Sequence, residues 1–247
     1  MSSLGDVFEE RLREIEVYLD FLEALDRQVQ AGVPKLGGSP ITAQQQKILY
    51  SAVYLQLYNL VESTITRCID AVSAAAAGNG RWLPGDLSAE LRREWVRVSA
   101  RTHVNLTPEK RLRSTIQLCD FLVRALPLPE WRVERGQRGN WDDEEIQAIA
   151  ERLGLDLQIS KEVYVGIKQR IRDGHGSLSL VKDLRNRLAH GDLSFAECGD
   201  SVTVSDLRDL KHRTAAYLAE VIAAFRTYID EYRFLLPERR PAVERMR

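Results

Sequence analysis

Apolar residues recur every three or four positions through four long stretches of the chain, which is the spacing of an amphipathic α-helix. These stretches cover residues 4–30, about 42–77, 177–190 and 205 to about 236. The second is apolar on most faces over residues 48–65, as expected for a helix in the middle of a bundle. We therefore predict an all-α fold, a helical bundle of four long helices.

A region from about residue 80 to 160 separates the second and third long helices. GNGRWLPGD at 78–86 ends the second helix, because glycine and proline interrupt helices. Shorter helices are predicted over 87–100 and 108–125, and a third within 139–155, where Asp142 or Asp143 can cap the start. We interpret this region as a helical insert within one domain that spans residues 1–247.

Two further features follow the third long helix. DLSF at 192–195 and VTVS at 202–205 alternate apolar and polar residues, which predicts a small β-hairpin. Residues 237–247 are polar and close the chain, so we expect a flexible tail.

Composition excludes several classes of protein. The 247 residues carry a formal net charge of −1, so binding of duplex DNA through bulk positive charge is not expected. The three cysteines lie far apart without a CxxC pair, which argues against a disulfide framework or a zinc site. No signal peptide and no apolar run of about 18 residues is visible, so we expect a cytoplasmic protein without a membrane partner.

The third long helix ends in RNRLAHG at residues 185–191. On a helical wheel Arg185 lies at the shoulder of the buried face, whereas Asn186 and His190 share the exposed face. Arg185 and His190 are about 140° apart at about 100° per residue, so a single straight helix cannot easily direct both at one atom. Either the helix ends at Ala189 with Gly191 left-handed, so that His190 turns back, or a second copy packs against the exposed face. We favour both together.

The residue types in this segment suit RNA cleavage. A histidine can accept and donate a proton near neutral pH, and the planar guanidinium of an arginine fits phosphate oxygens. Asn186 could hold the imidazole or contact the sugar, and no metal or other cofactor is required. The alternative is an ordinary helix end, with His190 favoured by the helix dipole and Arg185 covering the edge of the core. The spacing alone favours the alternative.

The apolar second helix contains polar side chains at Tyr58, Asn59 and Glu62. A buried glutamate needs a partner, so Glu62 could meet Arg185 and orient its guanidinium, with Asn59 and Tyr58 in the same supporting layer. The alternative is a structural hydrogen bond to a neighbouring helix or to the insert. The two readings overlap, since an ion pair with Arg185 would satisfy both.

Basic residues elsewhere are weaker candidates for RNA contact. Lys182 and Arg187 flank the motif and could hold flanking RNA phosphates. Asp183 can pair with Arg187 four residues later, which favours a solvated helix face for Arg187 and leaves both readings open for Lys182. A cluster of arginines also surrounds Trp95 in the insert, where a mixed-charge helix with one core tryptophan is favoured over an RNA grip. Its members are Arg92, Arg93, Arg97 and Arg101.

The motif R-N-x-L-A-H-G resembles the Arg-x4–6-His motif of the HEPN superfamily. Further stretches resemble its MAE-type branch of bacterial HEPN predicted ribonucleases, from about residue 8 to 235. They are FEERLREIEVYLDFLEAL, LYNLVEST, GNWDDEEIQAIAERLGL, LAHGDLSFAECG and VSDLRDLKHRTAAYL.

The resemblance implies a helical bundle that forms a homodimer, and a metal-independent endoribonuclease whose site residues are Arg185, Asn186 and His190. Cleavage by 2′-OH attack would leave 2′,3′-cyclic phosphate and 5′-OH ends. Toxin–antitoxin and antiviral defence systems are the settings it implies, with an antitoxin or other defence-system protein as partner.

Two other functions stay open. The first is a non-catalytic HEPN interaction module that binds a partner protein or a nucleotide. The second is an antitoxin associated with a nucleotidyltransferase, or the target of such an enzyme. Nucleotidylation of a tyrosine near the motif is not favoured, because no tyrosine lies between Tyr164 and Tyr217.

Overall fold

A computed structural model describes residues 4–102, 104–135 and 140–241 of the chain. In these residues helices dominate, so the predicted all-α class is confirmed. The helices are α1 (Leu4–Ala31), α2 (Ala43–Ala77), α3 (Ala89–Ser99), α4 (Pro108–Val123), α5 (Asp143–Leu153), α6 (Lys161–Lys168), α7 (Ser177–His190), α8 (Phe195–Cys198) and α9 (Val204–Asp230). Two short antiparallel strands, β1 (Lys35–Leu36) and β2 (Ser39–Pro40), join α1 to α2, with Lys35 opposite Pro40.

Packing divides the described chain into two compact units. The first takes its described residues from 1–64, 140–143 and 159–220, and the second takes them from 65–139, 144–158 and 221–247. Helices α2 and α9 contribute residues to both. The predicted insert is therefore mostly in the second unit, but residues 140–143 belong to the first.

The first unit contains α1, α7 and the adjoining parts of α2 and α9. Its core consists of aliphatic side chains spaced three or four residues apart on these four helices, as the sequence pattern predicts. They include Ile15, Leu19, Leu22, Val53, Leu57, Leu60, Val181, Leu184, Leu207 and Leu210. At its surface Arg208 binds Glu16, Asp20 and Glu23 at 3.0, 2.6 and 2.8 Å, which links α9 to α1.

The second unit contains α3, α4, most of α5 and the remaining parts of α2 and α9. Trp95 is fully buried, and its ring forms a T-shaped pair with Phe121 at a centroid distance of 6.0 Å. The preference for a core tryptophan in α3 is thus confirmed. Beside it, the buried carboxylate of Glu94 accepts two hydrogen bonds from Arg152, at 3.2 and 2.6 Å.

The β-hairpin predicted over 192–195 and 202–205 is wrong. Ser194 accepts a hydrogen bond from the Glu197 amide and Glu197 accepts one from the Ser194 amide, so this capping box starts α8 instead. Thr203 and Asp206 form the same reciprocal pair at the start of α9, which begins at Val204, one residue before the predicted start at 205. Local side-chain capping therefore outweighs a short alternation of apolar and polar residues.

Helix α6, the predicted tail and the apolar character of the helices can also be compared with the sequence predictions. Helix α6 is not predicted by the apolar pattern, because Ile167 is its one buried residue. In the predicted tail, Pro237–Arg239 forms a 3₁₀ turn, and residues 242–247 lie outside the described residues. Along the described chain, none of the helices has both the length and the apolar character needed to cross a bilayer.

Candidate functional site

Helix α7 carries the motif and ends with it. Leu180, Val181, Leu184 and Leu188 bury one face of the helix in the first unit. Gly191 follows in the left-handed region at φ +78°, as predicted for the residue after the last helical turn. The helix nevertheless runs through His190, so the expectation that it ends at Ala189 and turns His190 back is wrong.

Arg185 is held by four groups of the first unit. Its Nη1 donates to Oδ1 of Asn186 at 2.8 Å and to Oδ1 of Asn140 at 3.3 Å. Its Nη2 lies 3.8 Å from Oε2 of Glu62, and its Cζ lies 4.2 Å from the ring centroid of Tyr58. The side chain remains 31% exposed, so the guanidinium is fixed in place but still accessible from solvent.

Tyr58 provides the surface under the guanidinium. Its hydroxyl donates to Oδ1 of Asn140 at 3.5 Å, which ties the two groups that contact Arg185 to each other. Burial raises the pKa of Tyr58, and the nearby cation of Arg185 opposes that shift. The phenol therefore stays protonated and offers Arg185 a neutral aromatic face, which suits a cation–π contact.

Glu62 and Asn59 have different surroundings. At about 100° per residue Glu62 lies about 40° from Tyr58 around α2, so both face Arg185, whereas Asn59 lies about 100° away. The Glu62 side chain is 46% exposed, so it does not carry the desolvation cost that the sequence suggested. Asn59 is exposed and lines a groove with Tyr18 and Phe21 of α1, apart from the contacts of Arg185.

Asn186 and His190 project from the outer side of α7. Asn186 directs its Oδ1 to Arg185, so this oxygen supports the guanidinium rather than the imidazole. His190 is exposed, and no described residue forms a hydrogen bond or an ion pair with it. A single copy of the first unit thus assembles a cluster around Arg185 to which His190 does not belong.

The two flanking basic residues both have acidic partners. Lys182 forms an ion pair with Oδ2 of Asp142, a carboxylate that is almost fully buried. Nη1 of Arg187 lies 3.5 Å from Oδ2 of Asp183, four residues earlier on the same helix. Contact with RNA through either side chain would therefore compete with a pair inside the chain.

Sequence reasoning missed Asn140 and the pairing of Asp142. Both lie in GNWDDEE, where Asp142 was assigned only as a candidate cap of α5. In the structure α5 begins at Asp143, directly after Asp142, and residues 140–143 belong to the first unit, with Trp141 and Asp142 buried. The available signal was the pair of polar residues, Asn140 and Asp142, on either side of Trp141 in a stretch that resembles the family.

Comparison with known proteins gives one match. The family model described as HEPN_MAE_28990-like HEPN matches residues 1–234, which includes every residue of the Arg185 cluster and His190. Comparisons with curated proteins and with solved structures found no match. Among the described residues, no group of three or more His, Cys, Asp and Glu side chains is arranged to hold a metal ion. With a helical fold and a family match over almost its entire length, this chain belongs to the MAE-type, HEPN_MAE_28990-like family of HEPN proteins.

Proposed function

We propose that the protein is a metal-independent endoribonuclease of the HEPN type. The ribose 2′-oxygen attacks phosphorus, the bond to the 5′-oxygen breaks, and the products are a 2′,3′-cyclic phosphate and a 5′-OH. His190 takes the proton from the 2′-OH or gives one to the leaving 5′-oxygen. Arg185 stabilises the negative charge of the crowded phosphorus, and Asn186 positions Arg185.

The observation that carries this proposal is the fixed, partly exposed guanidinium of Arg185. A cation that is already held in place need not reorganise when charge develops in the transition state, which is how preorganised groups lower a barrier. That support comes from four groups within 4.2 Å of guanidinium atoms of Arg185, which belong to Tyr58, Asn140, Glu62 and Asn186. Glu62, Tyr58 and Asn59 were all expected to act from a supporting layer, and we retain this role for Glu62 and Tyr58 but not for Asn59.

The direction of His190 favours a site shared by two copies of the chain. Because α7 is helical through His190, Arg185 and His190 diverge by about 140° at about 100° per residue. We propose a homodimer in which the outer faces of two α7 helices line one cleft. Each site then combines Arg185 of one subunit with His190 of the partner subunit.

The setting we propose is a cytoplasmic toxin or antiviral defence effector that an antitoxin or another defence-system protein restrains. An exposed His190 fits this setting, because a bound protein could cover it without unfolding α7. Lys182 stays a candidate for contact with flanking RNA phosphates, whereas Arg187 is assigned mainly to its pair with Asp183.

The test is cleavage of RNA in the presence of EDTA. Wild type should release fragments with 2′,3′-cyclic phosphate ends, and Arg185→Ala and His190→Ala should each lower the rate at least about 100-fold. His212→Ala removes another exposed histidine, on α9, and should leave the rate unchanged. Cleavage that survives both motif substitutions would remove the proposed site.

A second function is favoured by one observation. Arg185 already has partners in its own chain and His190 has none among the described residues, which also fits a surface that binds a partner protein or a nucleotide. A purified protein that cuts no RNA but binds such a partner, and loses that binding in Arg185→Ala, would establish the non-catalytic module instead.

A further inference from the structure

Helix α4 exposes a continuous apolar stripe. Leu112, Ile116, Cys119 and Val123 follow one another at intervals of four, three and four residues. Leu112, Ile116 and Val123 are 55%, 54% and 83% exposed, and Cys119 is also exposed. Single apolar residues on a surface are ordinary, but four aligned on a helix of 16 residues form a contiguous patch of the kind that marks an interaction surface.

The stripe faces away from the rest of its own unit. Phe121 attaches α4 to α3 through the ring of Trp95. At about 100° per residue, Phe121 lies about 140° to 180° around the helix from each of the four stripe residues. Helix α4 thus has one apolar side for its own chain and a second that the described residues do not cover.

The intervals of the stripe are those of a coiled-coil seam. Alternating steps of three and four residues place side chains along one line, where they can pack between the side chains of a facing helix. We propose that α4 pairs antiparallel with α4 of a second copy of the chain. Leu112 then packs against Val123 of the partner subunit, and Ile116 packs against Cys119 of the partner subunit.

Charge favours this partner and this direction. Arg113 and Asp120 lie seven residues apart on the same edge of the stripe. In an antiparallel pair centred between residues 116 and 119, Arg113 of each subunit faces Asp120 of the other, which gives two opposite-charge pairs. Neither residue forms an ion pair elsewhere in the described chain. A parallel pair would instead set Arg113 beside Pro108 of the partner subunit and Asp120 beside Thr115 of the partner subunit, which are uncharged.

This surface belongs to the second unit and does not depend on the proposed nuclease site. Its test is the mass of the full-length protein in solution, measured by sedimentation at increasing concentration. Ile116→Lys places a charge in the seam, so this variant should lack the association step that α4 pairing produces in the wild type. Since Ile116 is already exposed, the variant should keep its helical circular dichroism.

Charge reversals test the direction of the pair. Arg113→Glu and Asp120→Arg should each lower the association constant about tenfold, because two attractive pairs become repulsive. An equimolar mixture of the two variants should associate as strongly as wild type, since every contact across that pair is then attractive. Lys110→Glu makes the same charge change on the far side of α4 and should have no effect.

Each remaining result overturns the proposal. If Ile116→Lys has the same mass as wild type at every concentration, α4 is not a self-association surface. The same conclusion follows if the wild type stays monomeric throughout. If the single reversals weaken association but their mixture does not restore it, the antiparallel pairing is wrong. A motif-face dimer is a separate step and should survive all of these substitutions.

Discussion

A heterodimer of two inactive variants gives the sharpest test of the shared site. One subunit carries Arg185→Ala and the other carries His190→Ala, and each homodimer should be inactive. If each site combines Arg185 of one subunit with His190 of the other, the heterodimer contains one intact site and one that lacks both groups. An isologous dimer has two equivalent sites, so the heterodimer should cleave RNA at about half the wild-type rate.

The assay uses two different affinity tags, one on each co-expressed subunit, so that successive purification yields only the heterodimer. The control heterodimer pairs wild type with a chain that carries both substitutions. In a shared site this control is inactive, because each cleft then lacks either the arginine or the histidine. In a site built within one chain, the control should instead keep about half of the activity.

The two arrangements therefore predict opposite results for the two heterodimers. A shared site makes only the pair of single variants active, whereas a site within one chain makes only the control active. Activity in the control and none in the pair of single variants would refute the reasoning from the direction of α7. It would show that His190 reaches Arg185 of its own chain, which requires the last turn of α7 to change its path.

Two predictions concern packing. Arg152→Ala leaves the carboxylate of Glu94 buried without its main partner, so it should cost about 3–5 kcal/mol and lower Tm by roughly 6–20 °C in thermal unfolding. Arg187→Ala breaks an exposed pair and should cost less than about 1 kcal/mol of unfolding free energy. Equal losses in the two variants would contradict the larger cost expected for Arg152→Ala. In dilute native protein at pH 8, a thiol reagent should label Cys119 rapidly, and rapid labelling of a second thiol would contradict the burial. Burial raises the pKa of the other two thiols, to about 12 for Cys68 and about 11 for Cys198, so both stay protonated and react only after unfolding.

The long helices were predictable because each buries one continuous face. Helix α1 ends at Ala31, one residue after the predicted end, and α7 covers the stretch 177–190 that the apolar spacing indicates, whereas α9 ends at Asp230, about six residues before the predicted end. Helix α6 was not predictable, because a helix with one buried residue leaves no periodic signal. The hairpin failed for another reason: Ser194 and Glu197 satisfy the backbone locally, and two four-residue alternations carry too little information to outweigh that.

The candidate site was predictable only in part. The motif identified Arg185, Asn186 and His190, and the polar position of Glu62 in an apolar helix suggested its contact with Arg185. Asn140 was not predictable, because it lies 45 residues from Arg185 in a segment assigned to the insert. The path of His190 was also open, since a left-handed Gly191 is compatible with a helix that ends at either preceding residue.

The discontinuous make-up of the first unit constrains when its site can form during synthesis. The ribosome releases the chain from its amino terminus, so Tyr58 and Glu62 emerge long before Asn140, and Arg185 follows last. A nascent chain consequently holds no assembled arginine cluster until α7 has left the exit tunnel. Truncated products of interrupted translation that end before residue 185 lack it altogether, so any activity that depends on the Arg185 cluster requires a chain that extends through α7.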